Sequence, residues 1–350
     1  MSAGDLRAVV LGSAGGPRWW GDTGGAKRSG IATAILVGDT AYLFDCGRGT
    51  GERLAEAGIP LERVRAVFLT HLHSDHVIGL PELLIWGIMA LRRPPTAPLR
   101  IIGPGDRGAL PPVSPFADAQ PELAFPESPT PGTVEMVENI ARAFGTDVVD
   151  RTFDSLRSGP TEVFAAEDIR LPSGIGYDPN TSPAPEMQPF EVYADELITV
   201  TATLVSHPPI APAFAFRIDA AGGSVTISGD TAPSENLVRL AQNTDLLMHE
   251  AIDYAWVESF YSGEHPSTRA ATIEHHRKSH TSPAEAARIA AAADAGTLLL
   301  HHLVPASTPR RTWLDGASAF PGPVVVPDDL DVIDVTAIRE AADADAEVNA

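Results

Sequence analysis

Within six positions, His71-Leu72-His73-Ser74-Asp75-His76 gathers four side chains able to bind a metal ion. The segment follows the short apolar run Val64, Ala66, Val67, Phe68, Leu69, which reads as a buried strand preceded by Pro60. The cluster therefore falls where a strand ends and the backbone turns. In extended backbone His71 and His73 point the same way, and Asp75 and His76 follow in the turn and approach from another side. Imidazole nitrogen and carboxylate oxygen suit Zn²⁺, with Mn²⁺ or Fe²⁺ as alternatives. One ion does not easily accept all four groups from so short a loop. Two ions, each completed by distant residues, are the natural arrangement.

Distant candidates recur at strand ends. Residues 197–205 read as a strand that leads to His207, and residues 224–227 lead to Asp230. Residues 245–248 lead to His249 and Glu250, and residues 297–300 to His301 and His302. A single histidine at such a place is more often packed or exposed than a ligand; the recurrence is the argument. Two divalent ions lower the pKa of a shared water, so that hydroxide exists near neutral pH and attacks a carbonyl, phosphorus or sulfur centre. The ions also stabilise the anionic transition state, so no serine or cysteine nucleophile is required.

Other elements must position these groups. Residues 7–11 form a first strand, followed by the glycine-rich turn Gly12-Ser13-Ala14-Gly15-Gly16-Pro17, whose spacing is not a dinucleotide fingerprint. Of the adjacent Trp19 and Trp20, one is placed to line a cleft. Residues 31–37 and 41–44 read as a hairpin about Gly38-Asp39. Helices are expected over residues 50–57, 81–91, 234–242 and 283–293, and a strand over 99–102. Alternating strands and helices indicate an α/β layered fold. Asp45, directly after apolar strand residues, is placed to brace a metal-binding histidine. Residues 104–194 break the pattern with clustered prolines around an amphipathic helix near 133–144. Such an insertion is expected to act as a lid, a dimer element or a substrate wall. The main domain is expected to span residues 1–335, with a frayed acidic tail over 336–350.

His-x-His-x-Asp-His after a buried strand resembles the metallo-beta-lactamase superfamily. Within it, Asp45-Cys46-Gly47-Arg48-Gly49-Thr50 matches the Asp-Cys-Gly-x-Gly-Thr element of ribonuclease Z-like proteins. The resemblance covers residues 7–103 and 195–305 and points to the branch holding ribonuclease Z and the metallo-β-lactamase-type arylsulfatases. It implies a four-layer αββα sandwich and a homodimer. It implies one ion held by His71, His73 and His207, a second by Asp75, His76 and His302, and Asp230 bridging both. His302 is preferred over His301 because Leu299-Leu300-His301-His302-Leu303 resembles the family's Leu-Leu-Thr-His-Phe. His280 resembles the histidine of the His-Ser-Thr motif, here in the order His-Thr-Ser, and is the candidate general acid. Glu250 of His249-Glu250-Ala251 is expected to orient or protonate a neighbour. Asp75, His280 and Glu250 are thus the candidate catalytic groups. Trp256, Phe260, Tyr261 and His265 lie between Glu250 and His280, able either to contact an apolar substrate or to pack the segment.

Composition narrows the function. The chain of 350 residues is 44% apolar and 20% charged, as expected of a globular protein. No apolar run reaches the roughly 18 residues of a membrane span. Cys46 is the only cysteine, so a reducing, cytoplasmic setting is expected. The formal net charge of −21 opposes binding to polyanions, and the densest positive spots, Arg310-Arg311 and His275-His276-Arg277-Lys278, are small. The resemblance places the tRNA-binding arm of ribonuclease Z-like enzymes between the residues matching His207 and Asp230. Here that interval is only about twenty residues, enough for a hairpin. The reading is therefore a dinuclear zinc hydrolase of a small-molecule ester-type bond, arylsulfatase-like, with nucleic acid not expected as a partner. The alternatives are a ribonuclease Z-type tRNA 3′-processing endonuclease, and a lactonase or phosphodiesterase on the same scaffold.

Overall fold

The structure, a computed structural model, describes residues 4–20, 28–91, 95 and 97–349. Its strands, in chain order, begin with β1 (Leu6–Gly12), β2 (Ala32–Val37), β3 (Thr40–Phe44), β4 (Val64–Phe68), β5 (Leu99–Pro104), β6 (Phe164–Ile169) and β7 (Phe190–Ala194). They continue with β8 (Ile198–Leu204), β9 (Phe214–Ala220), β10 (Gly223–Ile227), β11 (Leu246–Ile252), β12 (Thr297–Val304), β13 (Val324–Val325) and β14 (Val332–Asp334). They build two seven-stranded sheets, ordered β14-β1-β2-β3-β4-β5-β6 and β13-β12-β11-β10-β9-β8-β7.

Each sheet runs antiparallel in one part and parallel in the other. β3 to β6 are parallel, as are β10 to β13. Parallel neighbours need crossovers, and helices supply them. Thr50–Glu56 and Leu80–Ala90 cover the first sheet, burying Leu54, Leu80, Leu83 and Leu84 against Val9, Leu36, Leu43 and Val67. Glu235–Leu240, Pro283–Ala292 and Arg310–Gly316 cover the second, burying Leu237, Ala286, Ala290 and Trp313 against Leu247, Leu298 and Leu300. Between the sheets lies the third core, in which Phe44, Phe68, Phe214 and Phe216 meet. The Phe44 and Phe68 rings stack at 4.8 Å, and each stands 5.8 Å from Phe216. The four-layer αββα order expected from the resemblance is therefore the observed one.

Several local expectations change. β11 and β12 run longer than their apolar stretches, so His249, Glu250, His301 and His302 lie inside strands rather than after them. His249, Glu250 and His302 are tolerated there because they meet polar partners, which hydropathy alone does not register. Residues 104–194 do not stand apart: β5 extends to Pro104, and β6 and β7 close the two sheets at their edges. The amphipathic helix appears at Thr133–Ala143 and is followed by a second, Gly145–Asp154. The C-terminal segment is helical over Val335–Asn349. Val335 is buried in the inter-sheet core, Thr336 Oγ1 accepts from Leu6 N, and Asp334 Oδ1 accepts from Ala337 N, so the first turn is anchored on both sides. Among the described residues, no helix is long and apolar enough to cross a membrane.

Candidate metal centre

The parallel strands all deliver their C-terminal ends to one edge of the sandwich, the place where open α/β sheets bind ligands. β4 ends just before Thr70 and His71, and the short helix Ser74–Val77 carries Asp75 and His76. His207 follows β8 and Asp230 follows β10. Gly229 precedes Asp230 with φ +59°, and a Cβ there would stand 2.6 Å from the Phe214 carbonyl, so only glycine allows that turn. β12 supplies His302 through a bulge. Glu250 pairs with His301 and Ala251 with Leu303, leaving His302 as the extra residue with φ +45°. That added position aims its ring at the cluster, while His301 stays in the ladder beside Glu250, buried and outside the group. A side chain on Gly15 would collide with the His302 ring, so the glycine-rich turn is cut to fit it.

Two ligand-like groups result. His73 Nδ1 stands 3.0 Å from His71 Nε2 and 3.0 Å from His207 Nε2. Next to it, His76 Nε2 and His302 Nε2 are 3.1 Å apart, and Asp75 Oδ2 lies 3.3 Å from His302 Nε2. Asp230 spans them. Its Oδ1 is 3.3 Å from both His76 Nε2 and His302 Nε2, and its Oδ2 is 3.7 Å from His207 Nε2 and 3.9 Å from His71 Nε2.

The tautomers follow from the outer partners. His207 Nδ1–H donates to the Ser279 carbonyl at 2.7 Å, and His76 Nδ1–H donates to Asp45 Oδ2 at 2.8 Å. His207 Nε2 is therefore a lone pair pointing inward, and His76 Nε2 points inward and becomes one when its second proton leaves. Asp45 is itself fixed by Thr70 N at 2.8 Å and Thr70 Oγ1 at 2.9 Å, so it braces His76 as its position suggested. Asp230 Oδ1 is buried with no hydrogen-bond partner.

Converging acceptors of this kind repel one another unless a cation stands between them. Their spacing is close to the roughly 3.3 Å between neighbouring ligands of a tetrahedral ion with bonds of about 2.0 Å. The donor set thus fits borderline-hard divalent metals. Burial holds His71 and His207 well below the ordinary histidine range and lowers His73, so these rings are neutral and ready to ligate. Burial also opposes charge on His76, Asp75 and Asp230, but their mutual attraction outweighs it: His76 is raised, and both acids are lowered. Cys46 takes no part; it is buried, and burial pushes its thiol up to about 12.

Glu250 and His280 form a second, adjoining pair. His280 Nδ1 lies 3.0 and 3.1 Å from the two Glu250 oxygens, and Glu250 Oε1 also accepts from Thr231 N at 2.8 Å. Burial works against a charged His280, yet the facing carboxylate raises it to about 9. His249, by contrast, turns away from the cluster; its Nδ1 donates to the Glu250 carbonyl, and burial lowers it to about 4.

A cavity of about 500 Å³ opens above these groups, within the range of small-ligand sites. Trp20, Trp256, Tyr261, His275 and His276 line it, and no described residue of 104–194 does. The walls of this cavity come from the N-terminal loop and the helices after β11. The helix Pro266–Ser279, which carries His275 and His276, has no apolar stripe to announce it. These two rings had read as part of a positive surface spot. They lie half-buried, burial lowers them to about 4 and about 3, and they are neutral. Their place one turn ahead of His280 is the signal that sequence reasoning passed over.

The family model of the metallo-beta-lactamase superfamily matches residues 28–302. The chain belongs to that superfamily. A ribonuclease Z of Mycobacterium bovis (strain BCG / Pasteur 1173P2) is 32% identical over 312 residues, covering 88% of this chain and 92% of that relative. A ribonuclease Z of Mycolicibacterium gilvum is 29% identical over 313 residues, covering 89% and 91%. Among solved structures, the metallo-beta-lactamase fold protein YhfI of Bacillus subtilis aligns with a TM-score of 0.60 at 20% identity, over 94% of this chain and 99% of that one. Human tRNase Z, short form, aligns with a TM-score of 0.58 at 21% identity, also over 94% and 99%. As a member of the superfamily the chain is a metallo-hydrolase. The arylsulfatase-like expectation finds no support in these relatives, nor does the exclusion of nucleic acid; the ribonuclease Z alternative does.

Proposed function

We propose that the chain is a phosphodiester hydrolase of the ribonuclease Z type, working with two zinc ions per chain. The observation that carries this is similarity to a ribonuclease Z at 32% identity over 88% of this chain, in a chain whose candidate ligands and Glu250–His280 pair converge. His71, His73 and His207 would hold one ion, and Asp75, His76 and His302 the other, with Asp230 shared. Such ions supply Lewis acidity at the scissile phosphorus and an ionised water near neutral pH.

The chain's own residues do the rest. Asp45, Thr70 and Ser279 fix ring orientations, so the inward nitrogens need no rearrangement on loading. Glu250 keeps a proton on His280 Nδ1 and favours the doubly protonated ring. His280 then gives its Nε2 proton to the departing oxygen. Glu250 is a positioning residue, since it acts through His280.

A second reading, a small phosphodiester rather than tRNA, is favoured by one feature. The interval between His207 and Asp230 holds only the β9–β10 hairpin, whose strands are paired along their length. The homodimer belongs to the same proposal; Ile78, near Asp75, and Trp86 on the following helix are exposed at 56% and 67% and offer apolar surface. The test presents zinc-loaded protein with a tRNA precursor, bis(p-nitrophenyl) phosphate and p-nitrophenyl sulfate. Cleavage of either phosphodiester with little action on the sulfate is expected. Turnover of the sulfate alone would overturn the proposal.

A further inference from the structure

One wall of the cavity is built from aromatic rings, of which Trp256 and Tyr261 rest with one side on the small core of Ile252, Val257 and Val304. Trp20 and Trp256 meet edge to face, with centroids 5.8 Å apart at 62°. Trp256 stacks on Phe260 at 4.7 Å, and Tyr261 closes the group at 5.0 Å from Phe260. Trp20, Trp256 and Tyr261 are only half-buried, and all three face the cavity that His73, Asp75, His280 and His302 also line. Their remaining surface is turned to the cavity. Trp19, next in sequence, shows the contrast: it is 93% exposed and lies outside this wall.

The wall is held in register with the reacting centre. Trp20 Nε1–H donates to the Gly15 carbonyl at 2.8 Å, and Gly16 N donates to Asp75 Oδ2 at 2.9 Å. The loop bearing Trp20 is thus tied to a carboxylate of the cluster itself. Arg18 joins the two sides. Its guanidinium lies 4.3 Å over the Phe260 ring and donates to Tyr261 Oη at 2.7 Å. Among the described residues it pairs with no carboxylate, although the chain carries a net charge of −21.

We propose that Trp20, Trp256 and Tyr261 form a subsite for a planar aromatic group carried on the substrate's phosphate, namely the nucleobase next to the scissile bond, with Arg18 positioning the wall. A planar ring can lie against this aromatic wall, because stacking tolerates any base while the phosphate is placed by the centre below. The proposal rests on the phosphodiester reading and names the group that reading leaves open.

Binding to the zinc-loaded full chain, measured by titration calorimetry, tests it without turnover. The probes are AMP, phenyl phosphate and ribose 5-phosphate, which share a phosphate and differ in the ring. AMP is expected to bind about 5- to 150-fold tighter than ribose 5-phosphate, the range of base–aromatic stacking. Trp256→Ala is expected to erase that preference while leaving ribose 5-phosphate affinity in place, and Trp256→Phe to keep most of it. Phenyl phosphate matching AMP would support the subsite and assign it to any aryl ring; phenyl phosphate matching ribose 5-phosphate would support it for the nucleobase. Equal binding of all three probes to the wild type would overturn it, as would equal weakening of AMP and ribose 5-phosphate by Trp256→Ala in a protein that melts normally. Absence of phosphodiester turnover, with the AMP preference intact, would instead count against the phosphodiester reading alone.

Discussion

Replacing Asp45 by asparagine removes one charge facing His76 and almost no volume, so its consequences are those of hydrogen bonding and local charge, not of packing. In the wild type, Oδ1 accepts from Thr70 N at 2.8 Å, and Oδ2 accepts from Thr70 Oγ1 at 2.9 Å and from His76 Nδ1 at 2.8 Å. An amide has only one oxygen to offer. With its NH₂ toward Thr70, a buried backbone donor loses its acceptor, a loss of about 1–3 kcal/mol. With its NH₂ toward His76, the imidazole must accept at Nδ1 and carry its proton on Nε2, the atom that faces His302 and Asp230. The first outcome weakens the fold and the second weakens the metal centre. Zinc affinity, measured by competition with a chromophoric chelator, is expected to fall about 10- to 100-fold. For a chain of 350 residues, a loss of that size lowers the melting temperature of chelator-treated protein by about 1–4 °C. Wild-type zinc affinity together with an unchanged melting temperature would refute the claim that Asp45 holds Thr70 and His76 at once.

The Glu250–His280 pair and the inter-sheet core give two further expectations. Glu250→Gln should lower kcat on bis(p-nitrophenyl) phosphate by about 10²-fold or more at unchanged zinc content, and the alkaline limb of the pH–rate profile should move down because the carboxylate raises His280 to about 9. In metal-free protein a raised histidine stabilises fully below its ordinary value of about 6.5 and no longer does above about 9. The stability gap between wild type and Glu250→Gln in urea should therefore narrow as pH rises through that window; a gap constant with pH would contradict the pairing. Phe68→Ala, which empties the stack with Phe44 and Phe216, should lower unfolding free energy by about 3–5 kcal/mol, read as a lower urea midpoint at unchanged zinc affinity.

The metal loop was legible because its signal is dense: four ligating types within six residues after an apolar strand. The distant partners were legible because each closes a β-branched or leucine-rich stretch. What the sequence concealed has a physical pattern too. His301 and His302 are the same residue type, and only the bulge separates their roles. His275 and His276 looked like surface charge because the helix carrying them is polar throughout, and its burial comes from the cavity rim rather than from an apolar stripe. β6 and β7 sit among prolines that resemble loop, yet the ladders of β5 and β8 recruit them as edges, where proline-rich flanks are tolerated. The helix after β14 was read by its acidic composition, whereas its first turn is decided by Leu6 and the inter-sheet core.

The extra position at His302 has an evolutionary consequence. Deleting either member of the histidine pair would let the survivor take the ladder place opposite Glu250 and keep Leu303 in phase with Ala251. The sheet would be more regular than before, and the imidazole would be withdrawn from the cleft. A single lost codon could thus silence the chemistry while leaving the architecture intact, so a descendant with a flawless β12 is the one to suspect of having no activity.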